Sequence, residues 1–133
     1  MPKKKILIVE DEPEFADMVK VRLELAGYEV TVSLDALSGT VDAFSSTMEV
    51  LRGNHDLIIL DLMMPAGGGF TLLEAIRKYP QKKDLPVIIL TGQTIGKEII
   101  EKASRYHVAA IFTKPYQPEP FVKKIQEILG LSN

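Results

Sequence analysis

The chain has no cysteine, no tryptophan and only two histidines among its 133 residues. Without cysteine there is no disulfide framework, no thiol nucleophile and no thiolate zinc site. That composition suits a reducing, cytoplasmic setting. Long hydrophobic runs are missing as well. The Lys3-Lys4-Lys5 start is followed by an apolar run of four residues before Glu10, too short for the core of a secretion signal or for a membrane span. The lysines therefore read as a solvated lead-in. Neither sign of charge dominates: 16 basic against 18 acidic residues leave a net charge of −2. This gives no electrostatic case for direct binding to nucleic acid or to an anionic membrane. Repeats, low-complexity tracts and Pro/Gly/Ser linkers are also absent, and the length suits one domain with a proper core.

What is present is a strict alternation of two hydrophobic periods. Short apolar runs at Ile6–Val9, Tyr28–Val32, Leu57–Leu60, Val87–Leu90 and Ala109–Phe112 read as five strands. Between and after them lie stripes at helical spacing. Phe15, Met18, Val19, Leu23 and Ala26 form the first, stopped by Gly27, and Leu37, Val41, Phe44, Met48 and Leu51 the second. Leu72, Leu73 and Ile76 form the third, Ile95, Ile99, Ile100 and Ala103 the fourth, and Phe121, Val122, Ile125, Ile128 and Leu129 the fifth. The stripes are expected to face the core. Strands so poor in charge need cover on both faces, which implies a parallel sheet with helices on each side. The expected fold class is α/β, a doubly wound five-stranded parallel sheet of order 2-1-3-4-5, flavodoxin-like, with five helices on two faces.

In such a sheet, ligands collect beyond the carboxyl ends of the strands. Strand 1 ends in Glu10-Asp11, strand 3 in Asp61, strand 4 in Thr91 and strand 5 in Lys114. Carboxylates gathered in one crevice repel one another unless a cation lies among them. With a backbone carbonyl and waters they make an octahedral oxygen site, the preference of Mg2+ or Mn2+. A threonine hydroxyl and a lysine ammonium suit phosphoryl oxygens. An aspartate in that setting can serve as a nucleophile and form an aspartyl phosphate. Pro115 follows Lys114, and a cis bond there would help aim the lysine. His55 and His107 lie away from the strand ends and read as turn or surface residues.

Four motifs, each at a strand end and in this order, carry a resemblance. They are Ile8-Val9-Glu10-Asp11-Glu12, Leu60-Asp61-Leu62-Met63-Met64-Pro65 with Gly69 beyond it, Leu90-Thr91-Gly92 and Thr113-Lys114-Pro115-Tyr116. The chain resembles a response-regulator receiver domain, the phosphoacceptor module of two-component signalling, over about residues 4–129. The resemblance implies that Asp61 accepts a phosphoryl group from a histidine kinase or histidine phosphotransfer protein. It implies Asp11 as a direct Mg2+ ligand, Glu10 acting through a metal-bound water, and the Met63 backbone carbonyl as the remaining protein ligand. Thr91 and Lys114 would hold phosphoryl oxygens, and the small Gly92 keeps the site open to the donor. A receiver signals to a downstream protein through the face of its fourth helix, fifth strand and fifth helix, here including Lys97, Glu98, Glu101, Arg105, Tyr116 and Lys123. The same face offers a homodimer interface. The expectation is a single receiver domain over 1–133, with no output domain in the chain.

Three departures stand out. Ile111 lies three residues before Lys114, where the family often has an aromatic switch residue; a stiff β-branched side chain there implies a subtler switch, or one carried by Phe112 or Tyr116. The stretch between strands 2 and 3 is long by about one helical turn, with poor helix formers at Ser45-Ser46-Thr47, and reads as a surface insertion. Pro65-Ala66-Gly67-Gly68-Gly69 reads as a glycine-rich loop bordering Asp61. Other functions fit less well. A small aspartyl-phosphate phosphatase would want a second acid two residues past its nucleophile, where Met63 stands. A flavin carrier would need phosphate donors after strand 1, where Glu10-Asp11-Glu12 would repel one. A degenerate receiver acting only by protein contact would have no use for the acidic site.

Overall fold

The computed structural model of the chain describes residues 2–10, 12–33, 50, 52–62, 68–92 and 95–130. Five strands, β1 (Lys5–Val9), β2 (Glu29–Ser33), β3 (Leu57–Leu60), β4 (Val87–Thr91) and β5 (Ala110–Thr113), form one sheet in the order β2-β1-β3-β4-β5. Every pairing is parallel. Among the described residues there are four α-helices, α1 (Pro13–Leu25), α2 (Gly68–Lys78), α3 (Lys97–Arg105) and α4 (Pro118–Leu129). These correspond to the first, third, fourth and fifth helical stripes. The second stripe, Leu37 to Leu51, falls almost wholly outside the described residues, as does the insertion around Ser45–Thr47.

The sheet is covered on both faces because its strands alternate between two apolar sets. Ile6, Ile8, Leu57, Ile59, Ile88 and Leu90 pack under α1 and α4 with Val19, Leu23, Phe121 and Ile125. Leu7, Val9, Ile58, Leu60 and Val87 pack under α2 with Leu72, Leu73 and Ile76. A smaller cluster joins Ile89 to Ala103 of α3, with Ile99 and Ile111 against it. Two stripe positions depart from expectation: Met18 is 52% exposed and Ile100 55%, so each stripe is narrower than its apolar residues suggest. The fourth helix begins at Lys97, past Ile95. Helix α2 reaches back to Gly68, so Gly68 and Gly69 belong to a helix where a loop was expected.

Local chemistry explains the helix ends. Pro13 and Pro118 occupy first-turn positions, where a missing N–H costs nothing. Gly27 follows the α1 cap with φ 101°, a conformation that favours glycine at this position. At the opposite end of the sheet from the strand-end acids, the Arg77 guanidinium donates to four backbone carbonyls. They are those of Tyr106 (2.6 Å), Leu85 (2.7 Å), His107 (3.3 Å) and Lys82 (3.5 Å).

Gly69 sits where α2 meets the segment after β3. A Cβ there would lie 2.7 Å from the Leu62 Cα and 3.1 Å from the Asp61 carbonyl oxygen. Helix propensity alone makes Gly→Ala favourable by about 0.5–1 kcal/mol. Here the backbone clash wins, and Gly69→Ala is expected to destabilise by about 2 kcal/mol in urea unfolding; a neutral or stabilising result would contradict the close approach.

Candidate functional site

The ladder hydrogen bonds run one step past the strand ends and hold the chemical groups in place. Glu10 N–H donates to the Ser33 carbonyl at 3.3 Å, Asp61 N–H to the Val9 carbonyl at 3.1 Å, and Lys114 N–H to the Thr91 carbonyl at 2.9 Å. Each of these residues is thereby fixed relative to the neighbouring strand. Glu10 and Asp61 are each 2% exposed and Thr91 is fully buried. The Lys114-Pro115 peptide is cis, as the Pro115 position suggested.

Lys114 is the centre of the arrangement. Its Nζ donates to Glu10 Oε2 at 2.9 Å, to Asp61 Oδ2 at 3.0 Å and to Glu12 Oε1 at 3.1 Å. An ammonium has three donors, and these three carboxylates can take all of them. The same Nζ lies 4.4 Å from the centroid of the Phe15 ring. Oxygens from Glu10, Glu12 and Asp61 all lie within 4.8 Å of one another. Glu12 N–H also donates to Glu10 Oε1 at 3.1 Å, which ties the turn after β1 to the buried acid.

Three acids against one ammonium leave negative charge in excess, and burial makes that costly. Burial, followed by the neighbouring Asp61, pushes the Glu10 carboxyl up to about 8 in spite of Lys114. Burial alone would lower the Lys114 ammonium. Its hydrogen bonds to Glu10 and Asp61 outweigh that, and its pKa stands above the usual lysine value. An all-oxygen donor set with surplus charge fits a hard divalent cation, which would displace the proton from Glu10 on binding.

Of the residues singled out in the sequence, Glu10, Asp61, Thr91 and Lys114 converge at the carboxyl ends of β1, β3, β4 and β5. Asp11 and the Met63 carbonyl lie outside the described residues. Glu12 is the residue that sequence reasoning passed over: it was part of the first motif, but had no role of its own. The signal available was its place in a run of three acids. Lys97, Glu98, Glu101, Arg105 and Lys123 are exposed on α3 and α4, and Tyr116 is half-buried. Ile111 packs toward Ile89 and Ala103 on the α3 side. Phe112 points to the opposite face, its ring edge-on to Phe121 at 5.2 Å. His55 is partly buried, and its ring is held below the usual histidine range by burial and by Lys82.

Comparison with known proteins agrees with this geometry. The family model for the response regulator receiver domain matches residues 6–126. The DNA-binding dual master transcriptional regulator RpaA of Synechocystis is 33% identical over 127 residues, 94% of this chain and 48% of its own. The phosphate regulon transcriptional regulatory protein PhoB of Pseudomonas aeruginosa is 34% identical over 128 residues, 95% of this chain and 52% of its own. The chain thus spans about half the length of these curated relatives. Among solved structures, the Vibrio cholerae chemotaxis protein CheY4 superposes with a TM-score of 0.82 at 29% identity, covering 96% of this chain and all of its own. The HemR receiver domain of Leptospira biflexa gives 0.78 at 31%, covering 98% of each chain.

Removing the central ammonium tests the electrostatic account. Lys114→Ala leaves buried acids facing one another, and without divalent cation it is expected to lose about 3 kcal/mol at pH 8. A raised carboxyl pKa costs stability as pH rises from the unfolded value of 4.5 toward about 8. Acidification lets Glu10 take up a proton, so the deficit should shrink at pH 6. Urea titrations at the two pH values check this, and an equal deficit at both would contradict it.

Proposed function

Because the chain belongs to the response regulator receiver domain family, we propose that it is a Mg2+-dependent phosphoacceptor switch of two-component signalling, with Asp61 the residue that takes the phosphoryl group. The observation that carries this reading is the Lys114 ammonium at 3.0 Å from Asp61 Oδ2, within a crevice of three carboxylates. The donor is a histidine kinase or a histidine phosphotransfer protein, and the setting is the cytoplasm. The site sits in a single receiver domain with its core over about 4–129. Whether DNA or another protein lies downstream depends on the output to which the domain is coupled.

An Asp61 carboxylate oxygen attacks the phosphorus of the donor phosphohistidine. The P–N bond breaks, and its electron pair stays on the imidazole. Charge on the transferred group must be met as it develops, and preorganised cations meet it at least cost. Lys114 already points at the Asp61 oxygen and supplies one. A divalent cation held by Glu10 and Asp61, with Asp11 and the Met63 carbonyl as the further ligands, would supply the other as a Lewis acid. Thr91, buried at the end of β4, donates its hydroxyl to a phosphoryl oxygen. Once Asp61 carries the phosphoryl group, its partners are redistributed, and a minor conformation of the chain becomes the favoured one. The face formed by α3, β5 and α4 presents that change to a downstream protein, and also offers a homodimer interface.

Incubation with Mg2+ and acetyl phosphate should give a phosphoprotein by intact mass, and Asp61→Ala should give none. A signal without Mg2+, or an equal signal in the variant, would overturn the assignment. Thr91→Val is isosteric and should keep phosphorylation while weakening the response to it, read as a smaller change in the NMR spectrum.

A further inference from the structure

The aromatic rings of the chain are unevenly placed around Lys114. Phe15 lies beneath its ammonium at 4.4 Å. Phe15 then meets Tyr116 edge-on at 5.9 Å, and Tyr116 meets Phe121 at 4.9 Å. Burial pushes the Tyr116 phenol up, and the nearby Arg22 guanidinium of α1 acts against that. Arg22 in turn borders a groove of about 350 Å³ between α1 and α4, with Leu25, Ala26, Pro118 and Val122 along its walls. On the other side of β5, Ile111 packs against the cluster of Leu62, Ile89 and Ala103.

We infer that the state of Asp61 is relayed to α4 from its α1 side, through Phe15, Tyr116 and Phe121, and not through the Ile111 position. This rests on the phosphoacceptor reading and specifies its internal route. Lys114 is bonded to Glu10, Glu12 and Asp61 together. Phosphorylating Asp61 moves negative charge from its carboxylate onto the phosphoryl oxygens, so the ammonium must redirect at least one bond. A cation over a ring face is held only within about 6 Å of its centroid, so a shift of Nζ is felt at once by Phe15. Rings rotate in broad χ2 wells and can pass the change from edge to face. Ile111 is stiff at χ1 and sits among aliphatic side chains. The path is one of contiguous packed groups, the kind that can carry coupling between sites.

The test is an NMR shift map of the full chain with Mg2+ and beryllofluoride, an analogue of the aspartyl phosphate. Changes at Phe15, Tyr116 and Val122 should exceed those at Ile99 and Ile111 by about twofold or more, as expected for coupling through the packed rings. In Phe15→Leu, which keeps an apolar side chain but loses the ring, the change at Val122 should fall to about half or less while the analogue still binds. Responses concentrated at Ile99 and Ile111, or an undiminished Val122 response in the variant, would overturn the relay alone. Failure of beryllofluoride to bind the unmodified chain would overturn the phosphoacceptor reading, and the relay with it. If Phe15→Leu does not fold, the map of the unmodified chain decides by itself.

Discussion

One ammonium holds the crevice together. Lys114 joins Glu10, Glu12 and Asp61, groups that follow two different strands and each lie at least 53 residues from it in sequence. Buried carboxylates at this spacing would drive each other apart or take up protons. The lysine limits that, and the raised Glu10 pKa of about 8 measures how far the limit falls short. Surplus negative charge therefore remains in the crevice, and it favours binding a cation.

The sheet makes this possible because it carries so little polar chemistry of its own. Both faces of β1, β3 and β4 are buried and apolar, so polar groups are confined to the positions where the strands stop. Parallel pairing puts all those stops at one end.

That economy is also why so much could be read from the chain. Runs such as Leu57–Leu60 have few interpretations, and the residue after each run had to lie at the carboxyl end. Strand order, the convergence of Glu10, Asp61, Thr91 and Lys114, and the cis bond before Pro115 were all legible on these grounds. Side-chain exposure was less so. Met18 and Ile100 fit their stripes by spacing, but the width of the buried face depends on what packs against it. Helix α2 beginning at Gly68 was hidden because a glycine run carries a turn signal whatever its context. Glu12 was hidden for a different reason: its part in the site comes from the length of the Lys114 side chain and where it ends, which spacing along the chain does not encode.

The Arg77 clamp has a mechanical corollary. Its bonds to the Tyr106 and His107 carbonyls hold the C-terminal end of α3 to the base of the sheet. The other end of α3 is capped by Gly96, where an added Cβ would meet nothing within 4 Å. Near that end the helix is held by the packing of Ile99 against Ile89 and Ala103. Its base is thus fixed by directional bonds and its crevice end by apolar contacts that have no preferred direction, so the two ends of one helix are tethered by unlike forces.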